Sequence, residues 1–202
     1  MGGTRKQEIS AETRRRLVAA AWDLAAEGGA AAASVQAVAE RSGISRGSVA
    51  WHFGSKDGLL KAVVEEAFGW GARFLREHLA EAGPHAGVEA LVEANFALMS
   101  RPEARIFSTL LIEAVSRESA LRETYAQQYA LIRGLYAEHL RAAGARVADP
   151  EGVAAALLGG TLGINIQHRL DPDLDRRRAV TAMTGIYADA LSGAGPHAPG
   201  GS

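Results

Sequence analysis

The sequence predicts an all-α protein, with an N-terminal three-helix helix-turn-helix domain followed by a larger C-terminal helical bundle. Three observations predict it. Ala, Leu, Glu and Arg dominate, and no stretch alternates apolar and polar residues for long enough to make a strand. Ser, Asp, Gly and Pro recur at positions suited to helix boundaries. Near the N-terminus, two short helical segments are joined by "RSGIS", Arg41 to Ser45, as in a helix-turn-helix.

The elements follow in order. Ser10 is the expected N-cap of a first helix, which leaves Arg5 and Lys6 on an N-terminal arm. The inward face is Leu17, Val18, Ala21, Leu24 and Ala25, and Gly28-Gly29 ends the helix. Ser34 caps a short second helix through Arg41, with Val35, Val38 and Ala39 inward. Gly43 supplies the left-handed residue after it. Ser45 caps a third helix to about Phe53. Ser55 caps a long fourth one, carrying Leu59, Leu60, Val63, Val64, Ala67 and Phe68 inward. Beyond Gly83-Pro84, helices are expected over about 86–100, 102–117 and 120–143. Asp149-Pro150 and Asp171-Pro172 each put a capping Asp before a Pro suited to the first turn. They are expected to open helices near 150–169 and 172–191.

The expected domains are 1–55, helix-turn-helix with its arm, and 56–192, effector binding and dimerisation. The tail 193–202 has no apolar content to pack and is expected to be disordered.

Composition removes several function classes. The chain has 202 residues, with 22 basic against 23 acidic side chains and no cysteine. Disulfides and thiolate metal sites are excluded. No apolar run approaches the roughly 18 residues of a membrane span. "MGGTRKQEIS" has no apolar core after its basic residues, as a signal peptide requires. A soluble cytoplasmic protein without membrane contact is expected. The six histidines have no metal-site spacing, and no catalytic set stands out. No enzyme activity, metal or cofactor is expected. Near-neutrality argues against coating nucleic acid. Residues 1–60, however, carry eight basic side chains against six acidic ones, which makes this the part suited to phosphate.

The third helix presents Ser45, Arg46, Gly47 and Ser48 on its first turn. A reading helix must approach base edges in a major groove about 12 Å wide, so small outward residues suit it. Arg46 is the side chain best suited to a guanine. Gly47 is a poor helix former, which makes sense where close approach is wanted. Val49 and Phe53, four apart, face inward. Trp51 and His52 flank the groove with N–H donors for phosphate oxygen. At the next helix start, free amides, a positive dipole end and Lys56 favour an anion, and Ser34 starts its helix in the same way. The bland alternative is that Trp-His-Phe is core and Lys56 is solvated. Arg14, Arg15 and Arg16 lie on successive faces and read as a solvated surface.

The segment from "TRRRLVAAAWDLAAEGG" to "GSVAWHFGSKDGLLKAVVEEA" resembles the DNA-binding domain of the TetR family of transcriptional regulators, over about a quarter of the chain. The resemblance implies a homodimeric all-α regulator, a repressor in type, of a palindromic double-stranded DNA operator. It also implies a C-terminal domain that binds a small-molecule effector and then releases DNA. The family's DNA-facing positions fall on Ser34, Ser45, Arg46, Ser48, Trp51, His52 and Lys56. Two departures stand out: Ala33 replaces the usual Thr, and Trp51 stands where Tyr is commonest.

In the C-terminal region, "ALLGGTLGINI" places Gly159, Gly160 and Gly163 inside a helix, at roughly 1 kcal/mol each relative to Ala. Close helix approach is the natural offset. With Ala179, Met183 and Ile186 of the last helix they form the expected four-helix dimer interface. The alternatives are packing within one subunit or a pocket lining. Phe68, Phe96, Met99, Phe107, Leu111, Tyr125 and Tyr129 are candidates for an effector pocket, and their character suggests a mostly apolar ligand. Two competing readings remain: an all-α enzyme, or a protein-interaction module without DNA binding.

Overall fold

The computed structural model describes residues 2–83, 86–116, 118–144 and 148–191, with side chains from Arg5. The tail 193–202 lies outside the described residues. Among these the secondary structure is helical: α1 (Gly2–Ala32), α2 (Val35–Ser42), α3 (Arg46–Phe53), α4 (Lys56–Ala82) and α5 (Val88–Met99). A 3₁₀ turn (Pro102–Ala104) follows, then α6 (Arg105–Thr109), α7 (Leu111–Val115), α8 (Arg122–Ala142), α9 (Pro150–Leu170) and α10 (Arg176–Leu191).

The chain forms two compact units. Unit 1 is residues 1–71 with 101–129; unit 2 is residues 72–100 with 130–202. This division does not follow the sequence boundary at 55/56, because α1 packs against both α2 and α6. Unit 1 is held by Leu17, Val38, Val49, Leu59, Val63, Ile106 and Leu110, all nearly inaccessible. Unit 2 is built on the mutual packing of α5, α9 and α10. Leu75, Leu91, Tyr136, Leu140 and Leu157 are its most buried large side chains.

Three local expectations differ from the structure. Ser10 lies inside α1 rather than at its start, so Arg5 and Lys6 are helical residues and not an arm. Residues 2–10 contain no proline to stop the helix, and Arg, Lys, Gln and Glu favour it. The expected helix over 102–117 is broken. Ser108 Oγ donates to the Arg105 carbonyl at 3.1 Å, and Thr109 Oγ1 to that of Ile106 at 3.2 Å. These bonds compete with the helical ladder. Asp171-Pro172 opens a turn, not a helix. The Leu174 N–H donates to the Asp171 carbonyl at 3.1 Å, with Pro172 at the second turn position. Asp175 is the capping residue instead, accepting from the Arg178 N–H at 2.9 Å.

Arg176 then fastens α10 within unit 2. Its guanidinium donates to the Met99 carbonyl and to Asn165 Oδ1, both at 3.1 Å, and to Ser100 Oγ at 2.5 Å. It lies 4.5 Å from the Phe96 ring centroid, and Arg177 lies 4.4 Å from the same ring. Burial, then the neighbouring Arg177 charge, lowers the Arg176 pKa.

The turn between α2 and α3 is closed at Gly43, with φ 67 and ψ 23. Its N–H donates to the Glu40 carbonyl at 3.4 Å and the Ile44 N–H to that of Ala39 at 3.1 Å, a Schellman arrangement. Gly43→Ala places a Cβ in the left-handed region and is expected to destabilise by about 1–2 kcal/mol. Urea unfolding checks this, and an unchanged midpoint would refute it.

Candidate nucleic-acid interface

The predicted DNA-facing residues all lie in unit 1, on three consecutive helix starts and the far end of α3. Ser34 Oγ accepts from the Ala37 N–H at 3.1 Å, Ser45 Oγ from Ser48 at 3.3 Å, and Ser55 Oγ from Gly58 at 3.0 Å. All three are caps. Each hydroxyl keeps its own proton while accepting one bond, so capping does not remove its ability to donate to a phosphate. Ser45 and Ser48 share one such proton, their oxygens being 3.0 Å apart.

Arg46 and Gly47 are exposed on the first turn of α3, and Ser48 is half-buried beside them. Val49 is 1% exposed and roots the helix. Trp51 is 73% exposed, with the His52 ring edge-on to it at 4.4 Å. That exposure takes Trp51 out of the core, against the bland alternative. Phe53 is half-buried, with the Arg14 guanidinium 5.3 Å from its ring centroid, so it is less enclosed than its spacing suggests. Lys56 is half-buried at the first turn of α4. Among the described residues Arg46 and Lys56 form no ion pair, so both charges are available to an anionic partner.

Arg14, Arg15 and Arg16 are all exposed, as the solvated-surface reading expects, and two of them also bond within the chain. Arg16 donates to the Ser42 carbonyl at 2.7 Å, at the C-terminal end of α2, and Arg15 pairs with Glu12. Arg41 pairs with Glu27 at 3.3 Å, tying α2 to α1.

Of the pocket candidates, the structure brings four together in unit 1. Phe68 meets Phe107 at 5.1 Å, Tyr125 at 5.4 Å and Tyr129 at 5.3 Å, all edge to face. The Tyr125 hydroxyl donates to the Phe107 carbonyl at 3.3 Å. Burial pushes the Tyr125 pKa up, aided by Tyr129, and pushes that of Tyr129 up to about 12. Trp70 stacks on Phe107 at 6.2 Å and meets Trp22 edge-on at 6.0 Å. Sequence reasoning misses Trp22. Its position four residues after Val18, on the inward face of α1, is the signal that could have found it. Leu111 is half-buried on α7. Phe96 and Met99 belong to unit 2, around Arg176. Unit 2 also buries a polar pair, Asn95 Nδ2 donating to the Tyr136 hydroxyl at 2.8 Å. Asn95 Oδ1 has no hydrogen-bond partner among the described residues. Burial raises the Tyr136 pKa, which the Asn95 bond partly offsets.

The small-residue face divides. A Cβ on Gly160 would meet Met183 Sδ of the same chain at 2.6 Å, so this glycine admits α10 within the subunit. Gly159 and Gly163 face open space, Ile186 is 70% exposed, and Ala179 is half-buried. No helix among the described residues is long and apolar enough to cross a membrane.

Comparison with known proteins bears on these features. Residues 17–63 match the profile of bacterial regulatory proteins of the tetR family. Residues 84–192 match that of the C-terminal region of BetI-type transcriptional repressors. The HTH-type transcriptional regulator BetI of Paraburkholderia phymatum is 30% identical over 173 residues, 82% of this chain and 85% of that protein. BetI of Paraburkholderia phytofirmans is 38% identical over 85 residues, 41% of this chain and 44% of that one. The regulator SrpR of Pseudomonas putida is 32% identical over 116 residues, 54% of this chain and 50% of that one. These last two matches span about half the length of the relatives concerned. Among solved structures, a transcriptional regulator from Rhodococcus sp. Rha1 has a TM-score of 0.73 at 25% identity, covering 89% of this chain and 98% of its own. A second Rhodococcus structure, described as TetR-family, has a TM-score of 0.75 at 23% identity and supports the fold alone. With both profiles matched in order, and a relative aligned over most of both lengths, the chain belongs to the TetR family of DNA-binding transcriptional regulators.

Proposed function

We propose that the chain represses transcription as a homodimer whose two α3 helices enter successive major grooves of a pseudo-palindromic operator. The observation that carries this is the exposed first turn of α3, with small side chains and an Arg46 free of ion pairs among the described residues, between the capped start of α4 and a Trp51 held out in solvent. Ser34, Trp51, His52 and Lys56 hold phosphates, while Ser45, Arg46 and Ser48 face base edges. Residues 1–55 read DNA, and 56–192 bind effector and dimerise. A BetI-type repressor profile over the C-terminal region supports repression as the mode.

The dimer face is α9 and α10. Gly159 and Gly163 leave room for a close backbone approach, and Ile186 offers apolar surface that the described residues of this chain do not cover. The effector is small and mostly apolar and binds at the Phe68 cluster, a reading supported by the apolar character of the rings of Phe68, Phe107, Tyr125 and Tyr129 that meet there. It releases DNA to the extent that it binds one α3 spacing better than another.

The test is selection of duplexes from a random pool by the purified protein. A two-fold symmetric motif with half-sites about 10 base pairs apart is expected. No enrichment at low salt, from protein shown to be folded, would overturn the reading. In the same experiment Ile186→Glu is expected to halve the mass in sedimentation and to lose the symmetric motif. A variant that keeps the wild-type mass would refute the α9–α10 dimer face.

A further inference from the structure

The stripe of α1 that enters the core changes character at Leu17. From Leu17 onward it is apolar, with Leu17, Val18, Ala21 and Ala25 nearly inaccessible. Toward the N-terminus the same stripe continues through Arg14 and Thr13, then Ser10, then Lys6, at three, four, seven and eleven residues before Leu17. None of these is apolar. Thr13 spends its hydroxyl proton on the Ile9 carbonyl at 2.8 Å. Lys6 is exposed and forms no ion pair among the described residues. The acids lie on the other side. Glu8, nine residues before Leu17, stands half a turn round from the stripe, and Glu12 is held by Arg15. A surface helix normally turns its polar face to solvent and its apolar face to the core. Here the helix outruns the core, with a cation where the apolar face would continue.

Two contacts fix where this extension goes. The Arg14 guanidinium lies 5.3 Å from the ring centroid of Phe53, the last residue of α3, and Arg16 donates at 2.7 Å to the carbonyl of Ser42, the last residue of α2. The residues before Arg14 therefore run out at the end where α3 stops and where α4 starts with Lys56. Residues 5–9 are all exposed, so none of the described residues covers them. The tetR-family profile begins at Leu17, which puts the extension outside the matched region.

We propose that the N-terminal extension of α1 is a further phosphate-binding element, in which Lys6 and Ser10 hold the DNA backbone outside the half-site that α3 reads. This rests on the operator-binding reading above. The charge suits a polyanion, and the surface is continuous with the end of unit 1 that carries Lys56. Lys6 lies eight residues before Arg14, a reach of about 12 Å along the helix, or the axial rise of three to four base pairs. Phosphate contacts carry no sequence information. The extension therefore adds affinity and lengthens the duplex required, while the selected motif stays the same.

The experiment measures anisotropy on two duplexes carrying the motif that wild type selects from a random pool. One ends at the last base pair of the motif, and the other has about six further base pairs on each side, beyond the reach of Lys6. Wild type is expected to bind the longer duplex about tenfold more tightly. Lys6→Gln is expected to lose most of that preference, to bind the shorter duplex as wild type does, and to select the same motif. Lys6→Arg should retain the preference. Glu8→Gln removes one charge from the opposite face and is expected to keep the wild-type ratio between the two duplexes. Both glutamine variants should melt with wild type, since neither side chain is buried. The proposal is overturned if wild type binds both duplexes equally, or if Lys6→Gln keeps the full preference for the longer one. An equal change of that ratio in Glu8→Gln also overturns it, because net charge and not the face would then be responsible. So does a lowered melting temperature for Lys6→Gln, which would put the lysine in the service of the fold. A wild type that retains no duplex from the pool sinks the operator reading itself, and this inference with it.

Discussion

Alanine at Arg46 and alanine at Lys56 are expected to weaken operator binding in two distinguishable ways. Arg46 stands on the exposed first turn of α3 with no ion pair among the described residues. Its five donors match a guanine edge. Arg46→Ala is therefore expected to cost about 1–3 kcal/mol on the selected duplex and to relax preference at one base pair of each half-site. Lys56 stands at the start of α4, where backbone amides and the dipole already favour a phosphate. Asp57 in the same first turn opposes it, so the lysine charge is needed to keep that end attractive to an anion. Lys56→Ala is expected to lower affinity evenly across sequences. It should also flatten the dependence of log affinity on log salt by about 0.9 for each phosphate left without its cation. Anisotropy titrations over roughly 50 to 200 mM salt, on the selected duplex and a scrambled one, read both effects. An affinity decrease that is even across sequences for Arg46→Ala would place Arg46 on the backbone and not on a base.

Arg176→Ala is expected to have the largest effect on stability. One side chain serves the Met99 carbonyl, the Ser100 hydroxyl and Asn165 Oδ1, and covers the Phe96 ring. Asn165 is buried, so its oxygen loses its donor without gaining water freely. Charged hydrogen bonds and an orphaned buried acceptor together suggest a cost of about 3 kcal/mol. In a chain of this size that lowers the melting temperature by about 8 °C. Arg176→Lys should rescue little, since one ammonium cannot match a planar fork reaching three acceptors. Melting within about 2 °C of wild type for Arg176→Ala would show that these bonds are not coupled to folding.

What the sequence made legible was local. Ser34, Ser45 and Ser55 cap their helices, and Gly43 closes the turn between α2 and α3 as its place in "RSGIS" suggests. Each of these rests on bonds between near neighbours in the chain, which a residue pattern encodes directly. Arg176 could not be read in this way. It acts on Met99 and Ser100, more than seventy residues earlier, and nothing in "DRRRAV" distinguishes it from its neighbours. Pro172 points to the wrong helix start because its fixed φ suits a turn as well as a first helical turn. The pocket candidates share one composition, yet Phe96 and Met99 belong to unit 2 and the Phe68 cluster to unit 1. Helical spacing identifies apolar faces, not which faces meet.

The packing of α1 on α6, with Trp22 against Trp70, bears on how hybrid regulators are built from this chain. A graft that carries only residues 1–55 onto a foreign sensor severs both. It leaves α1 with an indole and an alanine-rich flank matched to a surface the recipient lacks. A transplantable cassette would bring residues 101–129 along with 1–71, although the two stretches are separated in the gene. Mixing and matching in this chain is therefore a problem of two junctions rather than one, and recombination at a single crossover point works against it.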